Sequence, residues 1–250
     1  MASKMEKTRK LAPTIRLPKS ASFTKAELRE TLHQAFPDYS PNSYSWLIAS
    51  LLSSQRLFRL GFNRYSTRPP LIYQGGREEK DLIALRAFLS STFRKQPFVV
   101  YDTAALNEWL NLLLAQGTLL VEVEKPNLLA CFYALQKKFP RWTILYKPTG
   151  DDLLLYAQKK VVALFPLTSR SPRLVGNGKM CLEKLAVDLF ADRGLACFYD
   201  PSEVPSMVLS MLTSYAYEPT SLLAYAKRRR VEKSILKVVA RSQSPAIKFS

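Results

Sequence analysis

From Glu78 to Leu167, short runs rich in Val, Leu and aromatic residues alternate with longer stretches of helical period. That alternation limits the fold more than any other feature of the chain. Phe98-Val99-Val100-Tyr101, Thr118–Glu124, Trp142–Tyr146 and Val161–Leu167 read as strands. Asp81–Phe93, Ala104–Leu114 and Asn127–Phe139 read as helices. Strands and helices in this order predict an α/β domain, a mixed sheet with flanking helices. From Cys181 onward the chain reads as helical, over Leu182–Ala191, Pro201–Tyr215 and Thr220–Ala240, so the domain closes in C-terminal helices.

The segment before Gln74 obeys different rules. Thr24-Lys25-Ala26-Glu27 has capping-box spacing and predicts a helix whose inward stripe is Leu28, Leu32 and Ala35. Phe36-Pro37-Asp38-Tyr39 breaks it. Ser40 followed by Pro41 starts another, a hydroxyl N-cap with proline at the first helical position. Tyr44, Leu47, Ile48, Leu51 and Leu52 then mark one helix face, and Asn42, Ser43, Ser45, Ala49 and Ser53 the opposite one. Leu57–Leu60, Gly61-Phe62-Asn63 and Arg64-Tyr65-Ser66 read as strand, turn and strand. Helices followed by a hairpin predict a winged helix-turn-helix over residues 22–75. The whole chain is then α+β: a basic arm over 1–21, expected to be disordered, the winged helix, the α/β domain over 76–240, and a flexible tail over 241–250.

Charge bears on the partner. The 250 residues carry 37 Lys and Arg against 20 Asp and Glu, a net charge of +17. Residues 1–20 hold +5, 21–75 hold +3, 76–226 only +2, and 227–250 hold +7. Such a surplus suits a polyanion, with nucleic acid ahead of an anionic membrane. Double-stranded DNA is the expected partner. A duplex major groove admits one α-helix, so a reader helix needs a packed back and a small polar front. The helix from Pro41 offers Asn42, Ser43 and Ser45 near its N-terminus, with Tyr44 straddling core and groove and Trp46 between the faces. Lys25, Arg56, Arg59, Arg64 and Arg68 are the candidate phosphate contacts, and Asn63 belongs to the turn of the wing. A small protein-docking module with a solvated basic rim is the competing reading.

Enzymatic constellations are sparse. The one histidine, His33, lies in the first helix, so no triad or His-based metal site is built around it. Gly176-Asn177-Gly178-Lys179 lacks P-loop spacing and reads as a turn. Asp102, Glu122 and Glu124, with Lys125, are acids at strand ends beside a lysine, the pattern by which a metal-dependent nuclease holds Mg²⁺. That reading is the alternative from another class; the main reading is not an enzyme and takes no cofactor. Cys131, Cys181 and Cys197 form no CxxC pair and suit a reduced compartment. No apolar run reaches the ~18 residues that span a bilayer, so no membrane is expected and the cytoplasm is the expected location.

One resemblance sharpens this. Phe165-Pro166-Leu167-Thr168-Ser169-Arg170-Ser171-Pro172 is followed by Leu182-Glu183-Lys184-Leu185-Ala186-Val187-Asp188-Leu189-Phe190-Ala191-Asp192, then Glu203, then Leu223-Ala224-Tyr225-Ala226-Lys227-Arg228-Arg229. These stretches, with Trp46, Ile48 and Leu51 in the reader helix, resemble the AbiEi-like antitoxins of type IV toxin–antitoxin, abortive-infection systems. The resemblance spans most of residues 22–230. It departs at Arg170-Ser171, where Glu-Ala is common, and at Asp200-Pro201-Ser202, where Gln-Gly-Ser is common. It implies a repressor that binds its own promoter and neutralises a co-encoded nucleotidyltransferase-like toxin. In the LEKLAVDL helix, Leu182, Leu185, Ala186 and Leu189 share a buried face, and Asp188 is placed to pair with an arginine of the Tyr225–Arg230 helix.

Overall fold

A computed structural model describes Ile15, Leu17 and residues 22–94, 96–156, 160–172, 178–191 and 195–243. The N-terminal elements are β1 (Phe23–Thr24), α1 (Lys25–Ala35), α2 (Pro41–Ser53), β2 (Phe58–Gly61) and β3 (Arg64–Ser66). Both predicted helix starts form as the local chemistry dictates. Thr24 Oγ1 accepts from Glu27 N while Glu27 Oε2 accepts from Thr24 N, two otherwise unpaired donors satisfied at once. Ser40 Oγ accepts from Ser43 N ahead of Pro41.

The small sheet is antiparallel in the order β1-β3-β2, with a bulge between Arg59 and Gly61. The two-residue β1 has no counterpart among the sequence expectations. Leu28, Leu32, Leu47, Leu51, Leu57 and Tyr65 fill the core between helices and sheet. Ala35, expected inside, is exposed. Most of the basic arm lies outside the described residues, but Ile15 does not hang free. It is buried in this first core, and its carbonyl accepts from Arg56 Nη2 at 3.1 Å.

The second sheet holds β4 (Phe98–Asp102), β5 (Leu119–Val123), β6 (Thr143–Tyr146) and β7 (Val161–Pro166) in the order β4-β5-β7-β6. β4 runs antiparallel to β5, whereas β5, β7 and β6 are mutually parallel, so the sheet is mixed as expected. Strand alternation sends side chains to two different cores. Val100, Val121, Val123, Val162 and Leu164 face α3 (Lys80–Thr92) and α4 (Leu128–Lys138). Val99, Tyr101, Leu120, Val161 and Ala163 face the other core, built with α6 (Leu182–Ala191), α7 (Val204–Ser214), α8 (Pro219–Arg228) and α9 (Glu232–Gln243). A short α5 (Gly150–Leu155), capped by a Thr149–Asp152 box, precedes β7.

Three sequence expectations fail for local reasons. The helix expected over Ala104–Leu114 is a six-residue 3-10 turn, Thr103–Glu108, followed by irregular chain. Asn107 closes that loop by accepting from Leu114 N and donating to Leu114 O, while Leu112 and Leu113 point outward. The long helix expected over Thr220–Ala240 breaks at Arg230, which adopts φ 62°, and resumes as α9. α9 runs to Gln243 with Ser242 buried, so residues 241–243 of the expected tail are helical; residues 244–250 lie outside the described set.

Candidate nucleic-acid interface

The two faces of α2 are sharply unequal. Tyr44, Leu47, Ile48 and Leu51 are buried. Asn42, Ser45, Trp46, Ala49 and Ser53 are exposed, and this outward face carries no charge of either sign. Trp46 is 58% exposed, which settles its place between the faces on the outward side. Leu52, expected on the inward stripe, is half-buried.

Tyr44 does not straddle core and groove. Its hydroxyl donates to Phe36 O at 2.8 Å and lies 2.9 Å from His33 Nδ1, so it ties α2 to the end of α1. Ser43 is half-buried, its hydroxyl 3.0 Å from that of Ser40. Ser45 Oγ donates back to Pro41 O at 3.4 Å and remains on the surface.

The candidate phosphate contacts fall into two groups. Arg59 and Arg68 are exposed, with Arg59 above the Tyr65 ring at 5.9 Å. Lys25 is half-exposed where α1 begins, its backbone N–H bound to Asn63 O. Arg56 and Arg64 are instead drawn inward. Arg56 holds Ile15 O. Arg64 donates to Leu212 O at 3.5 Å and Ser22 Oγ at 3.1 Å, and burial lowers its pKa. Asn63 lies in the turn, as expected, at a positive φ of 45°.

Arg64 is withdrawn because the hairpin turn is docked. Phe62 N donates to Tyr217 Oη at 3.3 Å, and Tyr217 N donates to Leu60 O at 3.1 Å. Gly61 lies flat against the Tyr217 ring: a Cβ there would fall 2.2 Å from Cε1. The tip of the hairpin is therefore committed to the chain just before α8.

The acidic constellation does not assemble. Asp102 pairs in register with Leu119, and Glu122 with Val99, so the two acids sit at different ends of the β4–β5 ladder and on opposite faces of the sheet. Asp102 Oδ1 instead accepts from Ala104 N and caps the 3-10 turn; burial raises its pKa. Glu124 is exposed beyond the end of β5. Among the described residues, no three His, Cys, Asp or Glu side chains are grouped to hold a metal ion.

Glu122 has another partner. Lys184, 1% exposed on α6, lies 2.8 Å from Glu122 Oε1 and also pairs with Asp188 one turn along. Tyr225 Oη of α8 donates to Asp188 Oδ1 at 2.9 Å, and Arg229 Nε stands 3.3 Å from the same oxygen. Arg229 Nη1 reaches Thr168 Oγ1 at 3.0 Å. The pairing of Asp188 with an arginine after Tyr225 is present as expected. Sequence reasoning missed Lys184 and Glu122 as its further members, although the i, i+4 spacing of Lys184 and Asp188 was a readable signal. Burial alone would push the Lys184 ammonium down; Glu122 and Asp188 overcome it and hold the pKa up.

The model of a family described as a family of unknown function, DUF6577, matches residues 43–244. No curated protein matches the chain. Among solved structures, the crystal structure of the RV2827C protein from Mycobacterium tuberculosis matches at 14% identity, over 98% of this chain and 82% of that one, with a TM-score of 0.26.

Proposed function

We propose a function for a chain that belongs to the DUF6577 family: sequence-specific binding of duplex DNA by an N-terminal winged helix whose reader is α2. The observation that carries this reading is the outward face of α2. Asn42, Ser45, Trp46, Ala49 and Ser53 offer small and hydrogen-bonding groups plus one flat ring, and no carboxylate opposes phosphate. A helix entering the major groove needs that front and a back packed on its own domain. The order strand, helix, helix, hairpin, with the sheet running β1-β3-β2, suits the same reading.

Asn42 and Ser45 reach base edges near the helix N-terminus. Lys25, Arg59 and Arg68 supply phosphate contacts at the rim. The wing grips less than its sequence suggests, because its turn is docked on Tyr217 and Arg64 points inward. What the resemblance to AbiEi-like antitoxins adds is a repressor that also neutralises a co-encoded nucleotidyltransferase-like toxin.

Selection of duplexes from a random pool by the full chain, followed by anisotropy titrations on the selected and a scrambled duplex, tests the reading. Asn42→Ala is expected to shift the preferred sequence, since a base contact is worth about 1–3 kcal/mol of discrimination. Arg59→Ala with Arg68→Ala is expected to weaken both duplexes alike and to reduce the salt slope by up to about 0.9 for each phosphate that is no longer neutralised. A pool that yields no enriched sequence, or a slope unchanged in the double variant, would sink the proposal.

A further inference from the structure

The carboxyl ends of the parallel strands β5 and β7 carry unbalanced charge. The acids there are Glu122, Asp188 and, exposed just past β5, Glu124; the bases are Lys184, Arg229, Arg228, Arg170 and, beside Glu124, Lys125. Glu122 and Asp188 are occupied in the interior by Lys184 and Arg229, and Glu124 forms no ion pair with Arg228 or Arg170. Arg228 and Arg170 are left lining, with Ser169, a cleft of about 340 Å³. No carboxylate among the described residues pairs with either.

The Arg228 guanidinium is already oriented. Its Nε and Nη2 both point at Ser169 Oγ, at 3.1 and 2.6 Å, a neutral oxygen where an anionic one would bind more strongly. Arg170 occupies the left-handed region at φ 57°, a turn conformation that costs a residue with a long side chain more than it costs glycine or asparagine. Open α/β sheets take ligands outside the carboxyl ends of their strands, which is where this cleft lies.

We propose that the cleft binds a phosphate monoester, with Arg228 and Arg170 on its oxygens and Ser169 as hydroxyl partner. Two guanidinium groups with no carboxylate partner among the described residues match the charge of a phosphate dianion, and the planar fork of Arg fits its oxygens bidentately. The monoester belongs to a nucleotide or to the 5′ end of a nucleic acid. The site is separate from α2, and the inference does not rest on the DNA-reading role proposed for that helix.

Calorimetric titration of the full chain tests it, with adenosine 5′-monophosphate, adenosine, inorganic phosphate, and one oligonucleotide with either a 5′-phosphate or a 5′-hydroxyl. The nucleotide is expected to bind, adenosine not, and inorganic phosphate to compete. Arg228→Ala and Arg170→Ala should each weaken binding at least tenfold, while Arg77→Ala, at an exposed partner of Glu79 that does not line the cleft, leaves it unchanged. Arg170→Gly separates site from scaffold: it removes the left-handed strain, so melting temperature should hold or rise while binding falls. A 5′-phosphorylated strand that outbinds the nucleotide assigns the monoester to nucleic acid, and the reverse order assigns it to a nucleotide. Equal affinity for adenosine, or full binding by the Arg170 and Arg228 variants, overturns the proposal.

Discussion

Lys184 shows what a single buried charge requires. An isolated ammonium cannot remain charged in a core, and here two carboxylates and a tyrosine hydroxyl surround it. The pairing draws β5, α6 and α8 together at one point. Removing one partner of such a group typically costs about 3–5 kcal/mol, because the remaining charges stay buried and unpaired. Lys184→Met is therefore expected to lower stability in urea by about that amount. Lys184→Met with Asp188→Leu is expected to cost less than the sum of the two single changes. Additive losses would show that the pair does not act as a unit. Part of this group was legible. The i, i+4 spacing on α6 and the arginines after Tyr225 are visible in sequence, but Glu122 joins only because β5 and β7 bring their carboxyl ends under α6.

Two thiols make a second residue-scale prediction, one of pH. Burial pushes both Cys131 and Cys181 up to about 12 from an ordinary value near 9. The unfolded chain then releases these protons at lower pH than the folded one. Their contribution to stability is complete below about pH 9 and is lost as pH rises towards 12. Denaturation midpoints across pH 8–11 should fall less steeply in a Cys131→Ala, Cys181→Ala variant than in the parent chain. An identical alkaline slope in both would contradict the assignment.

At the scale of elements, hydroxyl caps and apolar stripes were the reliable guides. Thr24 and Ser40 start α1 and α2 as their positions dictate, and Val-rich runs became strands. Local signals failed where a hydrogen-bond partner outside the apolar pattern, near or far in sequence, decided the outcome. Ala104–Leu114 reads as a helix, yet Asn107 closes its second half into a loop. The Gly61-Phe62-Asn63 turn looks like a free wing, yet Tyr217, 155 residues after Phe62, receives it. Nothing local to residues 57–66 encodes that contact. Gly61→Ala tests it, because the added methyl meets the Tyr217 ring well inside van der Waals distance. Overpacking of this kind typically costs about 1–3 kcal/mol. A melting temperature within error of the parent would mean that the hairpin does not depend on this contact. A fall that Tyr217→Ala partly reverses would locate the strain at the ring.

At the scale of the molecule, the net charge of +17 is unevenly placed, and the fold decides which charges are available. Arg56, Arg64 and Arg229 are bound to groups of their own chain, so counting lysines and arginines overstates the surface available to a polyanion. The N-terminal arm makes this testable. Residues 1–12 contribute Lys4, Lys7, Arg9 and Lys10 against Glu6, and all precede Ile15. Ile15 is buried in the first core and supplies the carbonyl that Arg56 binds. If the proposed DNA-reading role holds, a chain lacking residues 1–12 should keep its melting temperature and its duplex preference while its salt slope becomes shallower, by up to about 0.9 for each phosphate the arm neutralises. A chain lacking residues 1–16 should also lose stability, since burying an Ile side chain is worth about 1.5–3 kcal/mol and Arg56 would be left without its acceptor. The two truncations separate roles that charge counting merges. If the shorter one already lowers the melting temperature, the arm is part of the fold before Ile15. If neither changes the salt slope, the phosphate contacts of the proposed interface lie on the folded rim alone, at Lys25, Arg59 and Arg68.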